Sequence, residues 1–355
     1  MKIAIVNDTH WGVRNDNKAL ADFQARFWDE VFFPYLKEND IKTIFHLGDI
    51  VDRRKYINFV TAKRLEDEFI KPCVDNGIEL YVVAGNHDTF FKNTNEVNAL
   101  RQLYGSTSYD NMHLYWDDPV ELDMDGCKIM LSPWMCAENW DSSIKAFQET
   151  KAQILMGHFE ITGFEMDKGH ICTTGMDKNV FNKFDAVYSG HFHQPSSHGN
   201  ISYLGAQFEM TWSDYDQKRG FSVFDTETRE MTYVRNPLKI FHKIWYDDTD
   251  MTIEDIANLD TSLLTNTYIK VIITNKTNPY IFDLFLDRLQ QSGATDIKVV
   301  EDHMNMDVVD ETELVDEAQD TMTILRNYID NIEISADKEK VEQYVQELYQ
   351  EAISL

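Results

Sequence analysis

Five short stretches place acidic, amide and imidazole side chains directly after apolar, β-rich runs. They are Asp8-Thr9-His10, Gly48-Asp49 with Asp52 three residues on, Gly85-Asn86-His87-Asp88, Gly157-His158, and Gly190-His191-Phe192-His193. Side chains two apart on extended backbone point the same way, so Asp8 and His10 address one target. Collected, Asp8, His10, Asp49, Asn86, His158, His191 and His193 make seven nitrogen and oxygen donors with no thiol among them. Such a set suits two borderline-hard divalent metal ions, Mn²⁺ first and Mg²⁺ or Fe²⁺ as alternatives, rather than a structural zinc site. Two ions about 3.5–4 Å apart polarise a phosphate, make a nucleophile of water at neutral pH and stabilise the leaving oxygen of an in-line displacement. Phosphoester hydrolysis is therefore the expected chemistry. A carboxylate can bridge two cations, and Asp49, alone after its glycine, is the candidate bridge.

The elements that must position these residues alternate strand and helix. Lys2 to Val6 is a short strand, and apolar positions recur at helical spacing from Asn17 to Glu38. Ile41 to Leu47 returns to strand, a second helix spans about Asn58 to Asp75, and Ile78 to Ala84 feeds the Gly85 tetrad. Open α/β sheets bind ligands at the carboxyl ends of their strands, where all five stretches lie. Further strand text at Met112 to Tyr115 and Lys128 to Ser132 flanks a hairpin turn at Asp125-Gly126, followed by a helix near Ser142 to Glu149. Ile201 to Leu204, Gly220 to Asp225 and Met231 to Val234 suggest a second sheet packed on the first. The expected fold class is α/β, a two-sheet sandwich flanked by helices.

Four units are expected along the chain: the main domain at 1–240, a small β-α-β domain at 241–301, an acidic linker at 302–318 and a helical pair at 319–355. The pair presents Met322, Leu325, Tyr328 and Ile329, then Val341, Val345 and Leu348, at helical spacing. It either meets a partner surface or folds back on the main domain. The formal net charge is -28, and residues 301–355 hold 16 acidic against 3 basic side chains, so -13 of it is a tail property. That balance argues against tight autonomous binding of nucleic acid. The basic run Arg53-Arg54-Lys55 beside the second motif would draw a phosphate locally or sit on a solvated face. Trp11 is a substrate contact or, more simply, core, and His46, inside an apolar strand, is a satisfied core residue. Cys73, Cys127, Cys136 and Cys172 lack Cys-x-x-Cys spacing, and the chain carries no signal-peptide pattern and no apolar run of membrane-spanning length. Reduced thiols and a cytoplasmic protein are expected, in the host cytoplasm if the chain is phage-encoded, with no membrane partner.

The ordered series Asp-x-His, Gly-Asp-x-x-Asp, Gly-Asn-His-Asp, Gly-His and Gly-His-x-His resembles the calcineurin-like metallophosphoesterase superfamily over roughly residues 1–235. Within it the chain is similar to the SbcD-type nuclease subunits of DNA double-strand-break repair complexes, including the recombination endonuclease subunits of T-even-like phages. Pro133-Trp134-Met135-Cys136, Gly157-His158-Phe159-Glu160 with Gly163-Phe164, and Arg219-Gly220-Phe221 with Phe224-Asp225-Thr226-Glu227-Thr228 carry that finer likeness. The resemblance implies one ion on Asp8, His10, Asp49 and His193 and the other on Asp49, Asn86, His158 and His191. It implies that His87 is no ligand but protonates the leaving oxygen, with Asp88 orienting its imidazole. Asp52 stands where some members carry a second catalytic His, and so shares or supports that task. Exonuclease or endonuclease action on DNA ends in recombination and repair follows from the likeness. So do a capping domain that holds DNA, a helical pair docked on an SbcC-type coiled-coil ATPase, and a homodimer. The runner-up is a metallophosphatase or small phosphodiesterase, since Gly48-Asp49-Ile50-Val51-Asp52-Arg53 also resembles the Ser/Thr phosphatase motif, although Arg54 replaces its glycine. A non-catalytic scaffold is the third reading, weakened because all seven donors are present.

Overall fold

The computed structural model describes residues 1–106, 109–167, 170–301 and residue 341. The expected linker at 302–318 and, apart from residue 341, the expected helical pair at 319–355 lie outside the described residues. Residues Met1–Glu301 form one compact unit.

In chain order the strands are β1 (Lys2–Val6), β2 (Thr43–Leu47), β3 (Glu79–Val83), β4 (Met112–Tyr115), β5 (Val120–Met124), β6 (Cys127–Ser132) and β7 (Ile154–His158). A small hairpin, β8 (Glu165–Asp167) and β9 (His170–Ile171), precedes β10 (Ala186–Gly190), β11 (Ser196–His198), β12 (Ile201–Tyr203), β13 (Gly220–Asp225) and β14 (Met231–Arg235). Last come β15 (Phe241–Asp247), β16 (Tyr268–Asn275) and β17 (Asp296–Glu301). One six-stranded sheet runs β14-β13-β1-β2-β3-β4 and the second runs β11-β12-β10-β7-β6-β5. Strands β1 to β4 are mutually parallel, as are β6, β7, β10 and β12. The expected assignment of Gly220 to Asp225 and Met231 to Val234 to the second sheet is corrected. They extend the first sheet, β13 pairing antiparallel with β1 through Lys2 opposite Asp225. Pairing across more than 200 residues leaves no local signal, because any β-rich run can close either edge.

Parallel strands covered on both faces need apolar side chains at every position, and β1 and β2 show it. Ile3, Ile5, Phe45 and Leu47 meet Ile129, Leu131, Ile154 and Met156 between the sheets. Their neighbours Ala4, Val6 and Ile44 face the helices. Those helices are continuous over 18–38 and 59–75, and each widens into a π turn, at Phe27–Phe32 and Glu66–Ile70. Pro34 and Pro72 follow the wide turns. A proline ring clashes with the carbonyl four residues back and donates no hydrogen bond, and a π turn accommodates both faults. The first wide turn seats Trp28, fully buried, with ring centroids 4.7 Å from Phe69 and 4.9 Å from Phe27. Trp11 stacks on it at 6.3 Å and is core. The Asp125-Gly126 turn joins β5 and β6 with φ of 58° and 82°, the pair of positive values that a two-residue I′ hairpin requires. Beyond residue 240, β15, β16 and β17 form a parallel three-stranded sheet with the helix Pro279–Gln290 against it. Tyr246, Val271, Phe282 and Phe285 form its separate core.

The loops after β2 and β3 are tied together by one side chain. Both oxygens of the Asp88 carboxylate accept backbone N–H bonds: Oδ2 from Gly85 at 2.7 Å and Asp49 at 2.8 Å, Oδ1 from Ile50 at 2.9 Å and Val51 at 3.1 Å. The loops approach so closely that a Cβ on Gly85 would run into the backbone nitrogen and side chain of Asp49. One on Gly48 would lie 2.6 Å from Nδ1 of His158. Asp88→Asn turns two of its hydrogen-bond sites into donors that face donors. Each buried N–H left without an acceptor costs about 1–3 kcal/mol, so we expect the variant to lose roughly 2–4 kcal/mol in denaturant unfolding and to bind Mn²⁺ more weakly. Parent-like stability would remove Asp88 from this role.

Candidate metal centre

All seven expected donors meet at one end of the sandwich, at the carboxyl ends of β1, β2 and β3 from the first sheet and of β7 and β10 from the second. His10 Nε2 and His193 Nε2 lie 3.1 Å apart, and Asp8, His10 and His193 form one cluster of donor atoms. Asp49, His158 and His191 form another, with Asn86 Oδ1 2.9 Å from His158 Nε2 and 3.0 Å from His191 Nδ1. Asp49 Oδ2 stands between them, 3.3 Å from His158 Nε2 and 3.9 Å from His10 Nε2. Its other oxygen accepts the His87 backbone N–H at 2.8 Å, which turns Oδ2 toward both clusters.

This arrangement fits divalent cations. Donor atoms at adjacent corners of an octahedron with bonds of about 2.1 Å are about 3.0 Å apart, close to the 2.9–3.3 Å spacings among His10, His193, Asn86, His158, His191 and Asp49. Lone pairs aimed at one another at that distance repel unless a cation or proton lies between them. Asp8, His10, Asp49 and His191 all adopt positive φ, at 50°, 43°, 55° and 90°, a region non-glycine residues enter only at a cost that the surroundings must offset.

Several of these side chains are held by a second group. His158 Nδ1–H donates to the Leu47 carbonyl across the sheets at 2.8 Å, leaving Nε2 as the lone-pair nitrogen. Asp8 accepts the His191 N–H on both oxygens at 3.0 Å and is held by Asn7 Nδ2 at 2.5 Å. Asp52 Oδ1 lies 3.5 Å from His10 Nδ1, and Glu160 Oε2 lies 3.5 Å from His191 Nε2. The expected role of Asp88 is corrected here. The His87 ring is oriented by the backbone carbonyl of Asp52, which accepts from Nδ1 at 2.6 Å, while the Asp88 carboxylate is committed to the four amides of the loop tie. The reason is geometric: in a tight turn, adjacent side chains diverge. The His87 ring lies 4.8 Å from that of His10.

Charge is redistributed to match. Burial would raise the Asp49 carboxyl, but the imidazoles of His158 and His87 outweigh it and hold the group well below its usual range. Burial likewise opposes protonation of His158, yet Asp49 overrides it and pushes the pKa up to about 9. Burial, then His87 and His193, keep His10 neutral. His46 is a core residue as expected, its Nε2 2.9 Å from Thr9 Oγ1 and its pKa pushed down to about 3 by burial, but its Nδ1 lacks a hydrogen-bond partner among the described residues. The basic run divides. Arg53 is spent on Asp16 and Asn15, both at 2.9 Å, whereas Arg54 is half-buried with Nη1 lacking a hydrogen-bond partner among the described residues. Residue types and spacing alone assign no separate role to Glu160 or Arg54. Glu160 shares a motif with His158, a hint of proximity, but nothing local points its carboxylate at His191.

A cation needs neutral imidazole nitrogens, and the metal-free chain retains a proton on His158 up to about pH 9. The sign is therefore fixed: Mn²⁺ binding should release a proton at neutral pH and strengthen as pH rises, levelling off near pH 9. Calorimetric titration in buffers of different ionisation enthalpy measures that proton, and affinity independent of pH between 6 and 8 would contradict the assignment.

Residues 1–195 match the family model described as "Calcineurin-like phosphoesterase". The chain is 32% identical to exonuclease subunit 1 of Enterobacteria phage T4 over 355 residues, covering 99% of each chain. It is 26% identical to the SbcD subunit of the SbcCD nuclease of Staphylococcus epidermidis, covering 80% of this chain and 79% of that one. It is 25% identical to the corresponding SbcCD nuclease subunit of Staphylococcus saprophyticus, over 67% and 69%. With the five motifs gathered on Asp49 and the family model spanning more than half its length, this chain belongs to the calcineurin-like phosphoesterase family.

Proposed function

We propose that the chain is a two-metal DNA nuclease that processes DNA ends in recombination and double-strand-break repair as one subunit of a complex with an SbcC-type coiled-coil ATPase. The convergence of both donor clusters on Asp49 Oδ2, with His87 fixed through Nδ1 beside them, carries this reading. Full-length similarity to a phage exonuclease subunit and to subunits named for the SbcCD nuclease supports the substrate and the partner. Bound divalent ions, Mn²⁺ in this proposal, supply Lewis acidity toward the phosphodiester and toward water. Asp8, His10, Asp49 and His193 would hold one ion and Asp49, Asn86, His158 and His191 the other.

The chain's own residues do the rest. His87 donates the proton to the leaving oxygen from Nε2, the Asp52 carbonyl holding the ring at the required angle. The Asp52 and Glu160 carboxylates, each 3.5 Å from the imidazoles of His10 and His191 respectively, favour the protonated or metal-bound state of those rings. Arg54 supplies a cation for phosphate next to Asp49, where the rest of an acidic protein offers little. A homodimer belongs to the same proposal, with Tyr56, Phe59 and Val60 exposed by 61%, 92% and 67% along one short stretch.

With linear duplex DNA and Mn²⁺ or Mg²⁺, the parent chain should cleave. His87→Ala should retain both metals while losing cleavage by about 10²–10⁴-fold, the usual worth of a general acid. Asp49→Ala should lose metal as well, and equal metal loss in both variants would sink the division of roles. Deleting residues 319–355 should spare hydrolysis of a small phosphodiester and abolish co-purification with the ATPase partner; retained binding would refute the docking proposal.

A further inference from the structure

Next to the His158 and His191 end of the centre lies a cavity of about 250 Å³, lined by Trp134, Met135, Trp140, Glu160, Thr174 and Met176. One water needs roughly 10–15 Å³ of such space, so a ring system has room. Trp134 forms the wall toward the centre, its ring centroid 5.5 Å from His191 and 6.0 Å from His158. Trp140 opens the helix Trp140–Glu149 and is 38% exposed. Glu160 gives the lining a polar edge: Oε1 accepts from Thr174 Oγ1 at 3.1 Å, and the side chain remains 31% exposed.

We propose that this cavity receives the nucleobase adjoining the scissile phosphate, held by stacking on Trp134 and Trp140, so that the enzyme engages nucleotides whose base is free to leave the helix stack. The proposal rests on the nuclease reading. Three observations point to a base. The phosphate must sit at the metal centre, and the cavity adjoins it directly: His158 itself lines the cavity, and Trp134 lies 5.5 Å from His191. The cavity's walls include the indoles of Trp134 and Trp140 and the thioethers of Met135 and Met176, which favour a flat, polarisable ring, beside a polar edge of Glu160 and Thr174. A chain with net charge -28 gains little from phosphate neutralisation, whereas stacking on aromatic side chains is sequence-tolerant and independent of net charge. A base inside a duplex cannot reach such a pocket without unpairing, so frayed, mismatched or single-stranded ends are the favoured substrates.

The test compares two linear oligonucleotides, one with intact ends and one abasic at both terminal nucleotides, cleaved by the full chain with Mn²⁺. The parent should prefer the intact ends about tenfold in kcat/KM, mostly through KM, in line with the stacking worth of one base. Trp140→Ala should bring that ratio near one, and Trp140→Phe should retain most of it. Calorimetric titration with deoxyadenosine 5′-monophosphate and deoxyribose 5-phosphate should show the same tenfold difference in the parent and lose it in Trp140→Ala. A parent that cleaves both oligonucleotides equally, or a Trp140→Ala that keeps the parental ratio, overturns the pocket while leaving the nuclease reading intact. Failure of the parent to cleave either oligonucleotide overturns the nuclease reading itself.

Discussion

The buried carboxylate of Asp88 is the interaction on which the site's geometry depends. Burial and the Asp49 charge push its pKa up to about 7, against the pull of N–H bonds from Gly85 and Val51. Its four N–H bonds draw the turn after β2 against the turn after β3. Asp49 is thereby held at positive φ, and its carboxylate is delivered to the point where the two donor clusters meet. Gly48 and Gly85 are required by the closeness of that approach. Without the tie, the same five motifs would sit on independent loops, and no single oxygen would face both clusters.

Because the donors come from both sheets, the centre and the sandwich stabilise one another. The hydrogen bond from His158 to the Leu47 carbonyl joins β7 to β2 beside the buried inter-sheet core of Phe45, Leu47, Ile154 and Met156. On the opposite face of the first sheet, the aromatic cluster around Trp28 fixes the helices that follow β1 and β2. Rigid layers on both sides allow Asp8, His10, Asp49 and His191 to hold strained backbone angles.

Acidity and phosphate chemistry coexist here because the relevant field is local. Arg54, next to Asp49, is a cation at the site itself, and exposed charges beyond about 8–10 Å are largely screened. Acidic side chains also stand beside the imidazoles, Asp52 Oδ1 3.5 Å from His10 and Glu160 Oε2 3.5 Å from His191.

The sequence by itself determined the donors and their order, because strand, glycine and ligand are written contiguously and period-two patterning leaves few ways to place them. It also determined the α/β class, the main helices and the Asp125-Gly126 hairpin, all set by local spacing and backbone preference. What only the tertiary structure decided depends on contacts distant in sequence. The antiparallel closure of β13 on β1 joins residues more than 200 apart. The carbonyl of Asp52, rather than the carboxylate of Asp88, orients His87, because turn angles and not adjacency aim a side chain. The pairing of Glu160 with His191, the diversion of Arg53 to Asp16 and the cavity behind Trp134 likewise exist only once the two sheets pack. Chemistry could be read from residue types, but direction required the fold, since a donor's lone pair is aimed by its neighbours in space.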